Sequence, residues 1–509
     1  MRRVAASLAR RGHDLCRVSR RHITQDLSVN PSLQLTTLPN KIRVATQSTP
    51  GHFLICRLYI DAGSRYETPS SSGVSHFLDR MAFKTTASRT DDEMAAAVQS
   101  LGGQIICSSS REATPRALSL IADTVLNPSF LPEEIEAQRD AARYEIREIS
   151  SKPEQILPRC TGLGNPLLCP EERIDLINGH TLRMSMKEWY RPERMVIAGA
   201  GMLHEELVEL TDKYFSSLKS SEVLPPSLQP STTRPVAPPP LSSASSPPSV
   251  VKSISRAASY LFPTSPPTAS DSPSLINAMR PSYTGGHRHI YDPSAEFNHV
   301  YVAFEGVGIH DDDIYALATM QVLLGGEAVS LQVLSSRRWG PGKGMYSRLY
   351  THILNHYPQI DHCASFHHIY TDSSLFGLFA SFVPYSAGRQ VGNTPSQILP
   401  HLVHQLSLLL YTPIPAVELN RAKNQLKSSL MMALESRAVE VEDLGRQILV
   451  RNHKIPLTEM IAKIDLLKSA DIRKAAEKVF GLESGSKATV VCMGHEDTGP
   501  GKKFSPSIV

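Results

Sequence analysis

The sequence predicts an α+β protein in which a disordered linker joins two related units. Strand-like and helix-like segments follow one another in a similar order in both halves, and a Pro- and Ser-rich stretch separates the halves. The chain has 509 residues, of which 41% are hydrophobic and 20% charged, enough for a core in each unit. We expect a leader at residues 1–34, a first domain at 35–219, a linker at 220–282, a second domain at 283–497 and a tail at 498–509.

The first domain combines short strands with longer helices. Residues 42–46 have the alternating pattern of a strand, and the apolar run at 53–60 follows the turn Thr49-Pro50-Gly51. Asp91 and Asp92 lie in the first turn of a helix at 90–101 that Gly102-Gly103 ends. The other predicted elements are a helix that opens at Ser72-Gly73, a strand at 104–109, helices at 115–126, 131–149 and 184–190, a strand at 195–199 and a helix at 204–218.

The second domain repeats elements of the first in the same order. Two strands, at 364–369 and 375–382, precede one of its helices, whereas only the strand at 104–109 does so in the first half. We therefore expect the first sheet to have an open edge or to be one strand short. The corresponding segments are 53–63 with the strand at 299–304 and its following Gly306 and Gly308, 131–134 with 414–418, and 196–205 with 489–496.

Composition narrows the classes of function. The seven cysteines are scattered and form no C-x-x-C pair, which favours a reducing compartment over a disulfide framework or a thiolate zinc site. No apolar run is long enough to span a bilayer, so we expect no transmembrane segment. The net charge of +4 is small and gives no indication of nucleic acid as a partner.

The N-terminal segment predicts that the protein is targeted to mitochondria. Residues 1–22 contain seven arginines and one acidic residue, Asp14, with alanine, serine and leucine between them. This pattern is typical of a cleavable transit peptide. The alternative is a basic tail that binds RNA or lipid.

A helix in the first domain carries an altered zinc motif. In the inverted motif H-x-x-E-H, two histidines on one helix face ligate Zn²⁺ and the glutamate acts as the base. Here the positions are His76, Asp79 and Arg80. Arginine has no free lone pair and stays protonated, and the shorter Asp79 stem puts its carboxylate out of reach. The stretch predicts a peptidase scaffold that does not hold zinc, and the alternative is a helix with one chance histidine.

Glycines mark a second candidate site in the second domain. Gly325-Gly326 is followed by the string Gly-Pro-Gly-Lys-Gly-Met-Tyr-Ser-Arg-Leu-Tyr at 340–350. Lys343 is out of register for a phosphate-binding loop. The composition suits a mobile loop whose backbone lies close to an extended peptide, or else a long surface turn. The candidate substrate-binding residues here are Gly325, Gly326, Gly340, Pro341, Gly342, Lys343 and Gly344.

This glycine-rich string resembles the corresponding loop in the family of mitochondrial processing peptidase alpha subunits, the non-catalytic members of the M16 inverted-zincin peptidases. Four further segments resemble that family, at 73–84, 141–149, 164–172 and 283–286. Together the matches span residues 35–495 apart from the linker.

The resemblance implies two homologous α/β-roll units of the M16 type. It implies a non-catalytic subunit in the mitochondrial matrix that binds Arg-rich presequences of imported precursors. Its partner, the beta subunit, carries the intact motif and the zinc, so no cofactor is expected in this chain. Glu148 stands where the family has its third zinc ligand and is vestigial without a histidine at position 80. A core subunit of the cytochrome bc1 complex and a self-sufficient zinc peptidase are the alternatives, and Arg80 disfavours the second.

The chain departs from the family pattern at three places. Residues 327–339 are a bulky insert with two arginines, a strand is missing after Arg111-Glu112, and a helix is shortened near 158–161. The insert puts the function of the loop in doubt. We attribute the departures to splicing or gene-model errors, which a transcript that encodes the same insert would contradict.

Arg-rich presequences call for an acidic surface. The candidates are Asp311, Asp312 and Asp313, and the cluster Glu133-Glu134-Glu136. The alternative is that each cluster lies at a helix N-terminus, where the helix dipole favours carboxylates.

Overall fold

Two five-stranded sheets, one in each half of the chain, organise the fold. This computed structural model describes residues 33–47, 54–101, 107–109, 114–150, 165–219, 283–326, 346–385 and 393–495. The strands of the first half are β1 (Leu33–Thr37), β2 (Arg43–Gln47), β3 (Leu54–Ile60), β4 (Cys107–Ser109) and β5 (Met195–Ala200). Its helices are α1 (Val74–Arg80), α2 (Asp91–Ser100), α3 (Thr114–Leu126), α4 (Pro132–Ser150), α5 (Gly179–Trp189) and α6 (His204–Phe215).

The second half follows a similar plan with more helix at its C-terminal end. Its strands are β6 (Gly286–Tyr291), β7 (Asn298–Val307), β8 (Ile360–Ile369), β9 (Ser373–Phe382) and β10 (Thr489–Gly494). Its helices are α7 (Ile314–Leu324), α8 (Pro395–Tyr411), α9 (Ala416–Glu435), α10 (Arg437–Arg451), α11 (Leu457–Leu466) and α12 (Ser469–Phe480). Among the described residues, no helix is long and apolar enough to cross a membrane.

The two sheets have the same internal topology. Their strand orders are β1-β2-β5-β3-β4 and β6-β10-β7-β9-β8. In each sheet the last strand of that half lies between two of its earlier strands, parallel to one and antiparallel to the other. Chance repetition of sequence patterns does not produce such matching pairings, so the structure agrees with the internal repeat that the sequence predicts.

The sheets differ at their edges. In the first sheet β4, with three residues, is the outermost described strand, whereas in the second sheet β8 pairs beyond β9. The first sheet is therefore one strand short on this side within the described residues, as expected. On the opposite side β1 is an additional, unpredicted strand, and it begins two residues before the expected domain boundary at residue 35.

A helix of the second half of the chain, α10, covers one face of the first sheet. Side chains of α10 pack on the small residues of β2 and β5, including Ala45, Ala198 and Ala200. Arg57 on β3 donates to Glu442 on α10 at 2.9 Å. Because alanines line this face of the sheet, the helix approaches closely and the two halves share one buried apolar layer. The α10 residues in that layer are Val441, Leu444 and Ile448.

Candidate functional site

The helix of the altered zinc motif begins at a tightly bonded turn. The buried carboxylate of Glu67 accepts from the backbone N–H of Gly73 at 2.9 Å and from the N–H and hydroxyl of Ser75 at 2.8 and 2.6 Å. These backbone donors would otherwise be unsatisfied at the start of α1. Glu67 therefore fixes the orientation of the helix that carries His76, although no motif in the sequence marks it.

His76 points into the protein and uses both ring nitrogens. Its Nδ1 accepts the backbone N–H of Cys169 at 3.3 Å, and its Nε2 lies 3.1 Å from Oε2 of Glu145 on α4. A neutral imidazole carries one N–H, so a ring that accepts at Nδ1 has its proton at Nε2. His76 is therefore a hydrogen-bond donor to Glu145, and its Nε2 offers no lone pair to a metal.

Arg80 fills the position of the second histidine. Its Nε donates to Gln138 at 3.2 Å and its Nη1 donates to Oε2 of Glu145 at 2.7 Å. Gln138 and Glu145 are two turns apart on one face of α4, which explains how a single guanidinium reaches both. The guanidinium therefore provides the positive charge that pairs with the carboxylate of Glu145.

His76 and Arg80 together lower the pKa of Glu145. Partial burial raises the pKa of this carboxyl, but the hydrogen bond and charge of His76 and of Arg80 outweigh it, so the pKa lies below its usual value. Glu145 is ionised at neutral pH. The carboxylate therefore serves an internal ion pair.

The remaining predicted motif positions lie at the surface. Asp79 is exposed, and its charge adds to the larger effect of burial in raising the pKa of Tyr190 to about 12. Glu148 is exposed on α4, one turn beyond Glu145. The carboxylate at hydrogen-bond distance from both His76 and Arg80 is thus Glu145 and not Glu148, the residue that the family pattern predicts for a ligand.

The residues present do not fit the zinc ion that the M16 motif implies. Arg80 cannot ligate a cation, and the proton on Nε2 of His76 is used in the bond to Glu145. Across the described part of the chain, no group of three or more His, Cys, Asp and Glu side chains could hold a metal ion. The chemistry of this donor set is therefore that of an ion-pair network.

Gly325 and Gly326 form the start of the glycine-rich segment. Gly325 ends α7 with φ +115°, and its carbonyl accepts from the N–H of Ser365 at 3.1 Å. A Cβ on Gly326 would lie 2.3 Å from the carbonyl oxygen of Ser365. The pair lets the chain leave α7 against β8, which is a structural reason for both glycines. The predicted residues Gly340, Pro341, Gly342, Lys343 and Gly344 lie outside the described residues, as do the insert at 327–339 and the segment near 158–161.

Two of the three aspartates share one lysine as their ion-pair partner. Lys478 donates to Asp311 at 2.6 Å and to Asp313 at 3.0 Å, and Asp311 also accepts the backbone N–H of Asp313 where α7 begins. Asp312 is 94% exposed and lies 3.6 Å from Lys463. This geometry supports the helix N-terminus interpretation for Asp311 and Asp313.

The glutamate cluster also has internal partners. Glu134 accepts from the hydroxyl of Thr85 at 2.6 Å, and Glu136 pairs with Arg139. Both residues lie in the first half of α4, where Glu136 pairs within the helix and Glu134 joins it to the loop between α1 and α2.

Replacing Glu145 with glutamine is expected to lower the free energy of unfolding at neutral pH by about 1 kcal/mol, because Arg80 loses a charged acceptor. The effect is small because Glu145 is 37% exposed and solvent screens the pair. With its folded pKa below the ordinary 4.5, Glu145 contributes stability above that pH and loses it as the pH falls through the lower folded value. Denaturant unfolding of both proteins over a series of pH values should show the difference at neutral pH and its progressive loss as the pH falls below the ordinary pKa of a glutamate. A larger effect from Glu148→Gln would contradict the assignment to Glu145.

Two protein-family models match the chain. The model described as Insulinase (Peptidase family M16) matches residues 43–171, and the model described as Peptidase M16 inactive domain matches residues 177–426.

Three similar proteins carry the name mitochondrial-processing peptidase subunit alpha. The Neurospora crassa protein is 42% identical, over 88% of this chain and 83% of its own length. The Schizosaccharomyces pombe protein, named as probable, is 35% identical, over 90% of this chain and 83% of its own. The Homo sapiens protein is 30% identical, over 88% of this chain and 80% of its own.

A solved structure shares the fold. The crystal structure of a protease from Helicobacter pylori has a TM-score of 0.68 and covers 91% of this chain and 100% of that protein. At 17% sequence identity, this likeness concerns the fold alone.

Proposed function

This chain belongs to the M16 peptidase family and, within it, to the mitochondrial-processing peptidase alpha subunits, and from this premise we propose that it is the non-catalytic, substrate-binding subunit of the enzyme. The fold class and the resemblance predicted from the sequence are confirmed. Membership of the family implies a mitochondrial location and a beta subunit as the partner. The matrix as the compartment and the binding of Arg-rich presequences are further parts of the proposal.

The ion pair of Arg80 with Glu145 carries the proposal of a non-catalytic role. The guanidinium lies where a metal ligand would have to be and holds the nearby carboxylate at 2.7 Å. Hydrolysis of a peptide needs a polarised carbonyl and an activated water, and an M16 site obtains both from its metal. Without ligands for that metal, the chemistry has to be supplied by the zinc-bearing beta subunit.

Presequence binding rests on charge and on the glycine-rich segment. A cationic presequence needs accessible carboxylates, and of the three aspartates only Asp312 is nearly fully exposed. We assign a contact with the presequence to Asp312 and to the glycine-rich segment with Gly340, Gly342 and Gly344. We assign Asp311 and Asp313 a lesser part because Lys478 pairs with both.

Mixing the subunits tests the proposed function directly. A synthetic presequence peptide is incubated with this chain alone, with a beta subunit alone and with both, and cleavage is followed by mass spectrometry. We expect cleavage only in the mixture, because binding and chemistry lie on different chains. As a control, a peptide with its arginines replaced by glutamine should compete poorly with the original. Chelator-sensitive cleavage by this chain alone would show a self-sufficient peptidase and overturn the proposal.

The alternative role as a core subunit of the cytochrome bc1 complex is not favoured. The three relatives are named as processing-peptidase subunits. Co-purification of the chain with cytochromes, without cleavage by the mixed subunits, would reverse this preference.

A further inference from the structure

An open groove lies between β1 and α6, and it shares no residue with the altered zinc motif. It has a volume of about 520 Å³ and an apolar floor made by Leu38, Pro39 and Val208. A ligand that fills it must therefore bring both apolar surface and groups that match the polar wall.

The base of the groove is fixed by a buried histidine. Nε2 of His204 lies 2.7 Å from the hydroxyl of Thr36 on β1, and Nδ1 lies 2.8 Å from the hydroxyl of Thr46 on β2. Burial lowers the pKa of His204 against the charge of Glu205, so the ring is neutral at neutral pH. His204 thus joins α6 to β1 and β2 at the base of the groove, and this base contributes no positive charge.

One wall of the groove carries three exposed carboxylates. Glu205, Glu209 and Asp212 are spaced along one face of α6, and within the described chain none of them forms an ion pair. The helix dipole favours Glu205 in the first turn but disfavours Asp212 in the last turn. Mutual repulsion and the position of Asp212 make this row unfavourable for the isolated helix, and a bound cation would relieve both.

The free edge of β1 lies beside this wall. In the described part of the chain β1 pairs with β2 alone, so its outer N–H and C=O groups have no strand partner. Edge strands are usually protected by charge or proline, but β1 reads Leu-Gln-Leu-Thr-Thr, and Leu33 and Leu35 are 38% and 41% exposed. Such an edge accepts an extended peptide as an additional strand.

We propose that the groove binds a basic peptide segment of a partner polypeptide, which adds as a strand to the edge of β1. Its arginine or lysine side chains contact Glu205, Glu209 and Asp212, and its aliphatic side chains cover Leu38, Pro39 and Val208. Hydrogen bonds to the backbone of β1 contribute to the affinity whatever the side chains, whereas the acidic wall attracts basic peptides and repels acidic ones strongly enough to prevent their binding.

Binding of a defined probe tests the proposal on the full chain. The probe is a short fluorescent peptide of alternating leucine and arginine, and its counterpart has glutamate in place of arginine. Fluorescence anisotropy should show binding of the first peptide and not of the second. The triple variant Glu205→Gln, Glu209→Gln and Asp212→Asn should bind about tenfold more weakly, as expected when three exposed ion pairs are lost. A matched triple variant of exposed carboxylates elsewhere, Asp92→Asn, Glu171→Gln and Glu188→Gln, should keep the affinity.

Hydrogen exchange on the unaltered chain provides a readout that does not depend on any variant. Those amides of residues 33–37 that do not already bond to β2 should exchange more slowly when the arginine peptide is bound, because strand addition pairs them. Equal loss of affinity in both triple variants, binding of the glutamate peptide, or unchanged exchange at 33–37 would each overturn the proposal. Because cleavage is not measured, these outcomes leave the proposed function untouched.

Discussion

Replacing Gly445 with alanine is expected to lower the free energy of unfolding by about 3 kcal/mol, because the added methyl group has no room. A Cβ at this position would lie 2.0 Å from Cε2 and 2.3 Å from Cδ2 of the Tyr59 ring on β3. The ring is held in place because its hydroxyl donates to the carbonyl of Val441 on the same helix, at 3.2 Å. Alanine is a better helix former than glycine by about 1 kcal/mol, and the expected loss of stability already includes this gain. Urea unfolding followed by circular dichroism measures it.

The double variant with Tyr59→Leu serves as the control for this prediction. Once the ring is absent, Gly445→Ala should cost less than about 1 kcal/mol or be neutral, because only the helix propensity and a small contact change. An equal cost in both backgrounds would show that the Tyr59 ring is not the obstacle. The result would then argue against the close approach of α10 to the first sheet.

Replacing Gly73 with alanine is expected to disturb the altered zinc motif and to cost about 3 kcal/mol. Gly73 has φ +90°, and a Cβ there would lie 2.2 Å from Sγ and 3.0 Å from Cα of Cys169. The backbone near Cys169 must therefore move, and its N–H is the donor to His76. Denaturant unfolding should show the loss of stability, and hydrogen exchange should show faster exchange of the Cys169 amide.

Gly485→Ala is the matched control for the backbone strain. Gly485 has φ +65°, and a methyl group there would meet no other atom within 4 Å. Alanine at this position is therefore destabilised only by the left-handed backbone conformation. That cost is about 1 kcal/mol. The difference between the two variants measures the clash with Cys169. If both variants lose the same stability, the contact between Gly73 and Cys169 does not constrain the site.

Residues that favour a helix start allow the sequence to predict where some helices begin. The glycine before α1 and the aspartates at the start of α2 mark helix starts that the structure has at Val74 and Asp91. The strands β1 and β6 escape prediction, because Leu33–Thr37 has only two apolar residues and Gly286–Tyr291 is largely polar. Edge strands need little apolar surface, so an apolar pattern is a weak signal for them.

The sequence predicts that the candidate site does not bind a metal, but it does not predict which glutamate pairs with His76 and Arg80. Arg80 excludes a metal on chemical grounds alone, and this part of the interpretation needs no structure. Glu145 and Glu148 lie one turn apart on α4, and only the packing of α4 against α1 decides which of them contacts His76. The pairing of Asp311 with Lys478 joins residues 167 positions apart, so no local pattern could identify it.

The hydrogen bond from Cys169 to His76 limits what a single substitution in the altered zinc motif can restore. A histidine at position 80 would restore the letters of a ligand pair, but the backbone N–H of Cys169 would still occupy Nδ1 of His76 and keep the proton on Nε2. A metal ligand at His76 thus requires these two hydrogen bonds to break as well as a new side chain at position 80. A substitution at position 80 alone therefore leaves the hydrogen bonds of His76 to Cys169 and Glu145 in place.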